Sequence, residues 1–70
     1  MTKLPQIKPK VLLSKLKKLG FVELRTKGSH IILRHSDGRG TVVAYHNKPL
    51  ATGTLRAILK QTKLQVEDVI

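Results

Sequence analysis

The stretch of this sequence that is best suited to chemistry is Lys27-Gly28-Ser29-His30. Glycine accepts a positive φ, serine offers a short hydroxyl, and His30 begins an apolar run that is typical of a β-strand. Because imidazole changes its charge between about pH 5 and 8, a histidine here could accept and release a proton at neutral pH. A histidine beside a turn is also commonly an ordinary surface residue. The stretch alone therefore leaves both interpretations open.

Composition points to a polyanionic partner. The 70 residues include 14 lysines and arginines against four acidic residues, a formal charge of +10. Such a chain is expected to bind nucleic acid with a strong salt dependence, although a basic surface could also serve solubility or contact a membrane surface. Only Phe21 and Tyr45 are aromatic. We therefore do not expect a platform that stacks bases on several rings.

Length and residue usage limit the class of protein. Seventy residues predict one domain with a small core, here residues 1–70 with residues 1–8 as a loose lead-in. The chain has no cysteine, which excludes disulfides and thiolate zinc sites. No apolar run approaches the roughly 20 residues that span a bilayer. These features favour a soluble, cytoplasmic protein.

The elements that must position His30 follow from hydrophobic periodicity. Apolar residues at helical spacing predict a first helix from Lys10 to Leu19, with Pro9 in its first turn and Gly20 as the residue that ends it. Its predicted buried stripe consists of Val11, Leu12, Leu16 and Leu19.

Beyond Gly20 the period changes to two, which predicts strands. The first spans Phe21 to Lys27 and is expected to bury Val22, Leu24 and Thr26. A tight turn at Gly28-Ser29 leads to a second strand, His30 to His35. Asp37-Gly38 predicts another hairpin before a third strand, Thr41 to Tyr45. The result is an antiparallel three-stranded meander.

After Pro49 the pattern returns to helical spacing. Thr52 or Thr54 could cap a second helix whose buried stripe would be Leu55, Ile58 and Leu59, and residues 65–70 could add a last turn. The fold class is therefore α+β in the order α-β-β-β-α, with both helices on one face of the sheet.

Four motifs occur in order along this pattern: Lys18-Leu19-Gly20-Phe21, Lys27-Gly28-Ser29-His30, His46 after the third strand, and Gly53-Thr54-Leu55-Arg56-Ala57-Ile58-Leu59-Lys60-Gln61. With them the sequence resembles the HicA (YcfA-type) toxin family from the first helix to the end of the second. The resemblance implies a fold like that of double-stranded-RNA-binding domains, cleavage of messenger RNA, neutralisation by a HicB antitoxin, and His30 as the catalytic residue. The family usually carries proline where this chain has Ala44.

These features suggest a hypothesis for the chemistry. A base that removes the proton of the RNA 2′-OH makes the substrate its own nucleophile, so no metal or cofactor is required. His30 would be that base, with Gly28 and Ser29 shaping its loop, and nearby cations would stabilise charge on the phosphate and keep the imidazole neutral. The residues expected to contact RNA are Arg25, Lys27, Arg34, Lys48, Arg56 and Lys60.

Alternatives remain for the other candidate groups. The spacing of His30, His35 and His46 fits no compact metal motif. We expect His35 to be a surface residue at a strand end, and His46 to be a second acid or base, a substrate contact or a structural group. Ser29 is poorly placed to use His30 as the base of a covalent mechanism. The alternative function is a non-catalytic RNA-binding module that recognises the shape of a duplex.

Overall fold

The structure, a computed structural model, describes residues 4–70, and the predictions for residues 1–3 lie outside this range. Its elements are α1 (Pro9–Lys18), β1 (Val22–Lys27), β2 (His30–Arg34), β3 (Gly40–Ala44), α2 (Thr52–Thr62) and a 3₁₀ turn (Val66–Asp68). The strands form one antiparallel sheet in the order β1-β2-β3. This confirms the predicted α-β-β-β-α order, which is that of double-stranded-RNA-binding domains. Within the described range, no helix has the length and apolar character needed to cross a membrane.

The end of α1 directs the chain into the core. Gly20 has φ +100° and donates its N–H to Lys17 O at 3.1 Å, and Phe21 N–H donates to Leu16 O at 3.0 Å. These two bonds form a Schellman motif with glycine at C′, as predicted. Phe21 and Leu16 are both buried, so the motif also closes an apolar contact at the helix end.

The buried face of α1 is displaced from the predicted stripe. Leu12 and Leu16 are buried as expected, but Leu13 completes the buried face, whereas Val11 and Leu19 are exposed. The prediction was wrong for Val11 and Leu19. Leu13 lies one position from Leu12 and four from Pro9, which is also buried, so the helix turns that side towards the sheet.

The first strand is exposed on both faces, contrary to the prediction. All six residues of β1 are exposed, with Val22 at 60% and Leu24 at 57% of their full accessibility. The predicted alternation also fails because Glu23 pairs with Leu33 and Arg25 pairs with Ile32, which leaves Leu24 as the extra residue of a β-bulge. β1 is an edge strand, and the core at this end is supplied by Phe21 before it.

The helix-facing side of the other two strands forms the centre of the core. Ile31, Leu33, Thr41 and Val43 are buried there. They pack with apolar residues of both helices, including Leu12, Leu16, Leu55 and Ile58. The opposite side of the sheet stays open to solvent, and His30 lies on it because side chains alternate along a strand.

The ends of α2 differ from the sequence-based expectation. The N-cap is Ala51, so neither Thr52 nor Thr54 caps the helix, and no side chain bonds to its first turn. The predicted stripe Leu55, Ile58 and Leu59 is confirmed as buried. At the other end Lys63 adopts the left-handed conformation, with φ 56°.

The segments before α1 and after α2 are packed against the core. Ile7 is only 5% exposed, and its carbonyl accepts the Leu50 N–H at 2.8 Å, so the expectation of a loose lead-in fails at this residue. A short last turn is present as predicted, closed by Gln65 N–H donating to Asp68 Oδ2 at 2.9 Å. Val69 is buried, whereas Ile70 is exposed.

Candidate functional site

The loop that carries the candidate site is a two-residue hairpin turn. Lys27 and His30 are cross-strand partners, so only Gly28 and Ser29 connect β1 to β2. Gly28 has φ +60°, and Ser29 is not among the residues with positive φ. A positive φ at the first central position alone is the pattern of a type II′ turn, which favours glycine there. A Cβ on Gly28 would meet nothing within 4 Å, so the backbone conformation, and not the available space, favours glycine.

His30 is exposed on the open face of the sheet, between Lys27 of β1 and Ala44 of β3. Neither ring nitrogen takes part in a hydrogen bond with another side chain or the backbone of residues 4–70. Both ring nitrogens are therefore available to a bound molecule.

Two of the predicted cations lie close to His30 and one lies further away. Lys27 is its direct cross-strand partner, and Arg25 is the partner of Ile32, the next residue of β2 on the same face. Cross-strand and diagonal neighbours of this kind are within reach of long side chains. Arg34 is four residues along β2, about 13 Å away at the rise of a strand. The structure thus groups Lys27 and Arg25 with His30, and it places Arg34 at the other end of the face.

Ala44 lies next to both candidate histidines: it is the cross-strand partner of His30, and it precedes His46 by two residues. Tyr45 N–H donates to Ser29 O at 2.7 Å, and hydrogen-bonded pairs alternate along antiparallel strands. The pair of His30 and Ala44 is therefore the closer, non-hydrogen-bonded type, and the Ala44 N–H points to the free edge of β3. A proline at this position would therefore remove no ladder hydrogen bond.

An open groove of about 660 Å³ begins at Ala44. It is lined by Ala44, His46, Asn47, Lys48, Pro49, Leu50, Ala51 and Thr54. His46 and Lys48 are both exposed and share this groove. α2 begins at the same place without an acidic residue in its first turn, so the positive end of its dipole adds to the charge of Lys48.

The remaining predicted cations are on α2. Arg56 is exposed two residues beyond Thr54, near the start of the helix. Lys60 lines a different groove with residues such as Leu4 and Leu64. The structure does not bring Lys60 together with His30.

His35 is held in place by the fold and is less exposed than predicted. Its Nδ1 accepts the Asp37 N–H at 3.2 Å, so Nε2 carries the proton and donates to Leu19 O at 3.1 Å. Its ring also packs edge-on against Phe21, with 5.1 Å between the ring centroids. The bond to Leu19 could not be foreseen from local sequence, because Leu19 is 16 residues away.

Arg39 is a structural cation that sequence reasoning did not single out. Its Nη1 donates to Thr62 O at 2.6 Å, its Nε donates to Asp37 Oδ2 at 2.7 Å, and its guanidinium lies 5.2 Å from the centre of the Phe21 ring. The Arg39 backbone N–H also donates to Asp37, and this bond, followed by the guanidinium, lowers the pKa of the Asp37 carboxyl. Arg39 therefore joins the β2–β3 loop to the end of α2.

The three histidines occupy three separate places: the open sheet face, the β2–β3 loop and the groove. Within residues 4–70 there is no group of three or more histidine and acidic side chains that could hold a metal ion.

A match to a protein-family model shows which family the chain belongs to. The model of a family described as the HicA toxin of bacterial toxin-antitoxin systems matches residues 10–64 of the 70. The chain belongs to the HicA toxin family. The matched part runs from α1 to just beyond α2, so it contains the turn, His30 and the groove with His46. A search of curated proteins found no match. Membership of the HicA family makes this chain a toxin of a toxin-antitoxin system, for which an antitoxin partner is implied.

Proposed function

We propose that this HicA-family chain is a metal-independent endoribonuclease that cleaves messenger RNA with His30 as the general base. The observation that carries the proposal is the exposed His30 imidazole, which has no hydrogen-bond partner within residues 4–70 and is flanked by Lys27. A general base needs an accessible lone pair near a cation that can hold the substrate anion, and this side of the turn offers both.

The reaction follows from the chemistry of RNA. His30 accepts the proton of a 2′-OH, and the 2′-oxygen attacks the adjacent phosphorus. The bond from phosphorus to the 5′-oxygen of the next nucleotide then breaks, and that oxygen takes a proton. The products are a 2′,3′-cyclic phosphate and a 5′-hydroxyl end. Base catalysis of this kind accelerates a reaction by about 10²- to 10⁴-fold.

Lys27 and Arg25 are suited to hold the reacting phosphate. Both lie on the His30 face, and charge that develops on the phosphate oxygens is stabilised by cations that are already in position. The groove beyond Ala44 would bind the RNA on the other side of His30, with Lys48 on a phosphate and His46 as a second contact or proton donor. Arg56, Arg34 and Lys60 would contribute the longer-range attraction that a charge of +10 provides.

The partner in this proposal is a HicB-type antitoxin in the cytoplasm, where messenger RNA is found. Family membership implies an antitoxin, and a positive surface favours a protein of opposite charge because complementary potentials speed and orient association.

The test is cleavage in EDTA of one RNA and of the DNA with the same sequence, by the wild type and by His30→Ala. We expect the wild type to cut only the RNA, to leave 2′,3′-cyclic phosphate ends, and to lose activity in the variant. Cleavage of the DNA at the same rate would contradict the mechanism. Binding of the RNA without cleavage by the wild type would instead support the non-catalytic RNA-binding module.

A further inference from the structure

Another groove lies on the helix-facing side of the sheet, opposite His30. It has a volume of about 330 Å³ and is lined by Lys10, Leu13, Ser14, Lys17, Glu23, Ile31 and Tyr45. We propose that this groove, the Tyr45 groove, binds one nucleotide of a single-stranded RNA, with the base stacked on Tyr45 and the phosphate on Lys10. The inference rests on the proposed function, because it assigns a subsite to the RNA that His30 would cleave.

The groove exists because the edge strand β1 is left uncovered by the helices. Lys10, Ser14 and Lys17 recur at i, i+4 and i+7, so they form one wall on the exposed side of α1. Leu13 and Ile31 are buried beneath them. The groove therefore combines an apolar floor with a wall that carries two ammonium groups and a hydroxyl.

The two lysines of this wall are not equivalent. Lys17 forms an ion pair with Glu23 of β1, so much of its charge is already compensated. Lys10 forms no ion pair within residues 4–70. Lys10 is thus the cation in this wall that remains available for a phosphate, because the charge of Lys17 is already paired with that of Glu23.

Tyr45 supplies the surface for a base. It is the only tyrosine of the chain, and it remains 43% exposed although its neighbours in the groove, Leu13 and Ile31, are buried. An aromatic ring that is half exposed above an apolar floor suits stacking, and any base can stack on it because every base has a π face.

The Tyr45 groove and the His30 site lie at the same end of the sheet. The Tyr45 N–H donates to Ser29 O at 2.7 Å, so the ring follows directly from the strand end that flanks the turn. Tyr45 and His30 thus lie at the same end of the sheet on opposite faces. A flexible single strand can pass around this end, which a rigid duplex cannot do, and this favours single-stranded RNA as the ligand.

The experiment uses the His30→Ala variant with ¹³C-labelled tyrosine, because under the proposed function this variant is expected to bind RNA without cutting it. Because the chain has one tyrosine, every labelled ring signal comes from Tyr45. A short RNA of mixed sequence without base pairing is added, and binding is followed in parallel by fluorescence anisotropy of the labelled RNA. We expect the Tyr45 ring signals to move upfield and to saturate together with the anisotropy.

Substitutions in the same background test the two contacts. Loss of one base stack on going from Tyr45→Phe to Tyr45→Ala should weaken binding by about 5- to 150-fold. Lys10→Ala should weaken binding more than Lys18→Ala, which removes the same charge from α1 outside the groove. Circular dichroism verifies that each variant is folded.

The outcomes separate the two proposals. RNA that binds without moving the Tyr45 signals, with equal affinities for Tyr45→Phe and Tyr45→Ala, overturns the Tyr45 groove as an RNA subsite and leaves His30 catalysis standing. Failure of the protein to bind any RNA, together with failure of the wild type to cleave it, overturns both. In the first case the Tyr45 groove does not bind RNA, and a protein becomes the candidate ligand for it.

Discussion

The two ends of β2 each have a histidine near a glycine of positive φ, but the two rings differ in exposure and in hydrogen bonding. At the first end, Gly28 has open space around it, and the His30 ring is exposed. At the second end, a Cβ on Gly20 would lie 2.7 Å from His35 Nε2, and the His35 ring is bonded on both nitrogens and packed on Phe21. One end is accessible and the other is fixed.

The difference shows how to separate a functional histidine from a structural one in a small basic protein. A ring whose two nitrogens are both hydrogen-bonded by the fold is held in one orientation, and removing it leaves its partners without those bonds. A ring without such bonds contributes little to stability and stays available. We therefore expect substitutions at the His30 end to affect activity, and substitutions at the His35 end to affect stability.

The largest effect is expected for His30→Ala. RNA cleavage should fall by about 10²- to 10⁴-fold because the general base is lost. The free energy of unfolding should change by less than about 0.5 kcal/mol because the side chain is exposed. The measurements are cleavage rates and urea denaturation of the same preparation. A large loss of stability would show that the accessible end is also structural.

The two glycines should differ in their tolerance of a side chain. Gly20→Ala should destabilise the protein by about 3 kcal/mol, because it combines an unfavourable φ with a clash against His35. Gly28→Ala should cost only about 1 kcal/mol, because the conformation alone opposes it. Urea denaturation of both variants checks the difference. Equal losses of stability in the two variants would show that His35 does not pack closely against Gly20.

His35→Ala should cost about 2 kcal/mol of stability, through the lost contact with Phe21 and two lost hydrogen bonds. His46→Ala is the matched control, since that ring is exposed and should change stability by less than about 0.5 kcal/mol. Thermal unfolding of the two variants is the measurement. If both melted like the wild type, the second end of β2 would not be fixed by its histidine.

The smallest effect concerns pH and the Asp37 carboxyl. Bonds from the Arg39 backbone and side chain lower its pKa below the ordinary value of 3.8. The charged carboxylate therefore stabilises the folded state above pH 3.8, and this contribution is lost as the pH falls through the lower folded pKa. Wild type should exceed Asp37→Asn in stability at neutral pH, and the difference should shrink in strong acid. If the stability difference between the wild type and Asp37→Asn did not change with pH, the charge of Asp37 would not contribute to it, and hydrogen bonding alone would explain it.

Much of the fold was predictable because its signals are local. The Schellman ending at Gly20, the turn at Gly28-Ser29, and the stripe of α2 each follow from neighbouring residues. The exposure of β1 on both faces was not predictable from the alternation of its residues. An edge strand with apolar residues at Val22 and Leu24 looks like a half-buried strand, until the bulge and the placement of the helices are known.

In the candidate site too, features set by neighbouring residues could be predicted, and features set by long-range contacts could not. The motif around His30 identified the exposed histidine and its neighbour Lys27, because turn and cross-strand positions follow from short spacings. The roles of Arg39 and His35 depend on contacts across 16 to 23 residues with Leu19 and Thr62, which no local pattern reveals.

The central claim, that His30 acts as a general base, is tested most directly by chemical rescue of His30→Ala with free imidazole. Cleavage of one RNA is measured in EDTA at increasing imidazole concentrations, with the wild type as reference. Neutral imidazole should restore cleavage to the folded variant in proportion to its concentration, and should leave the wild-type rate unchanged. A folded variant that cleaves as fast as the wild type without imidazole would contradict the claim.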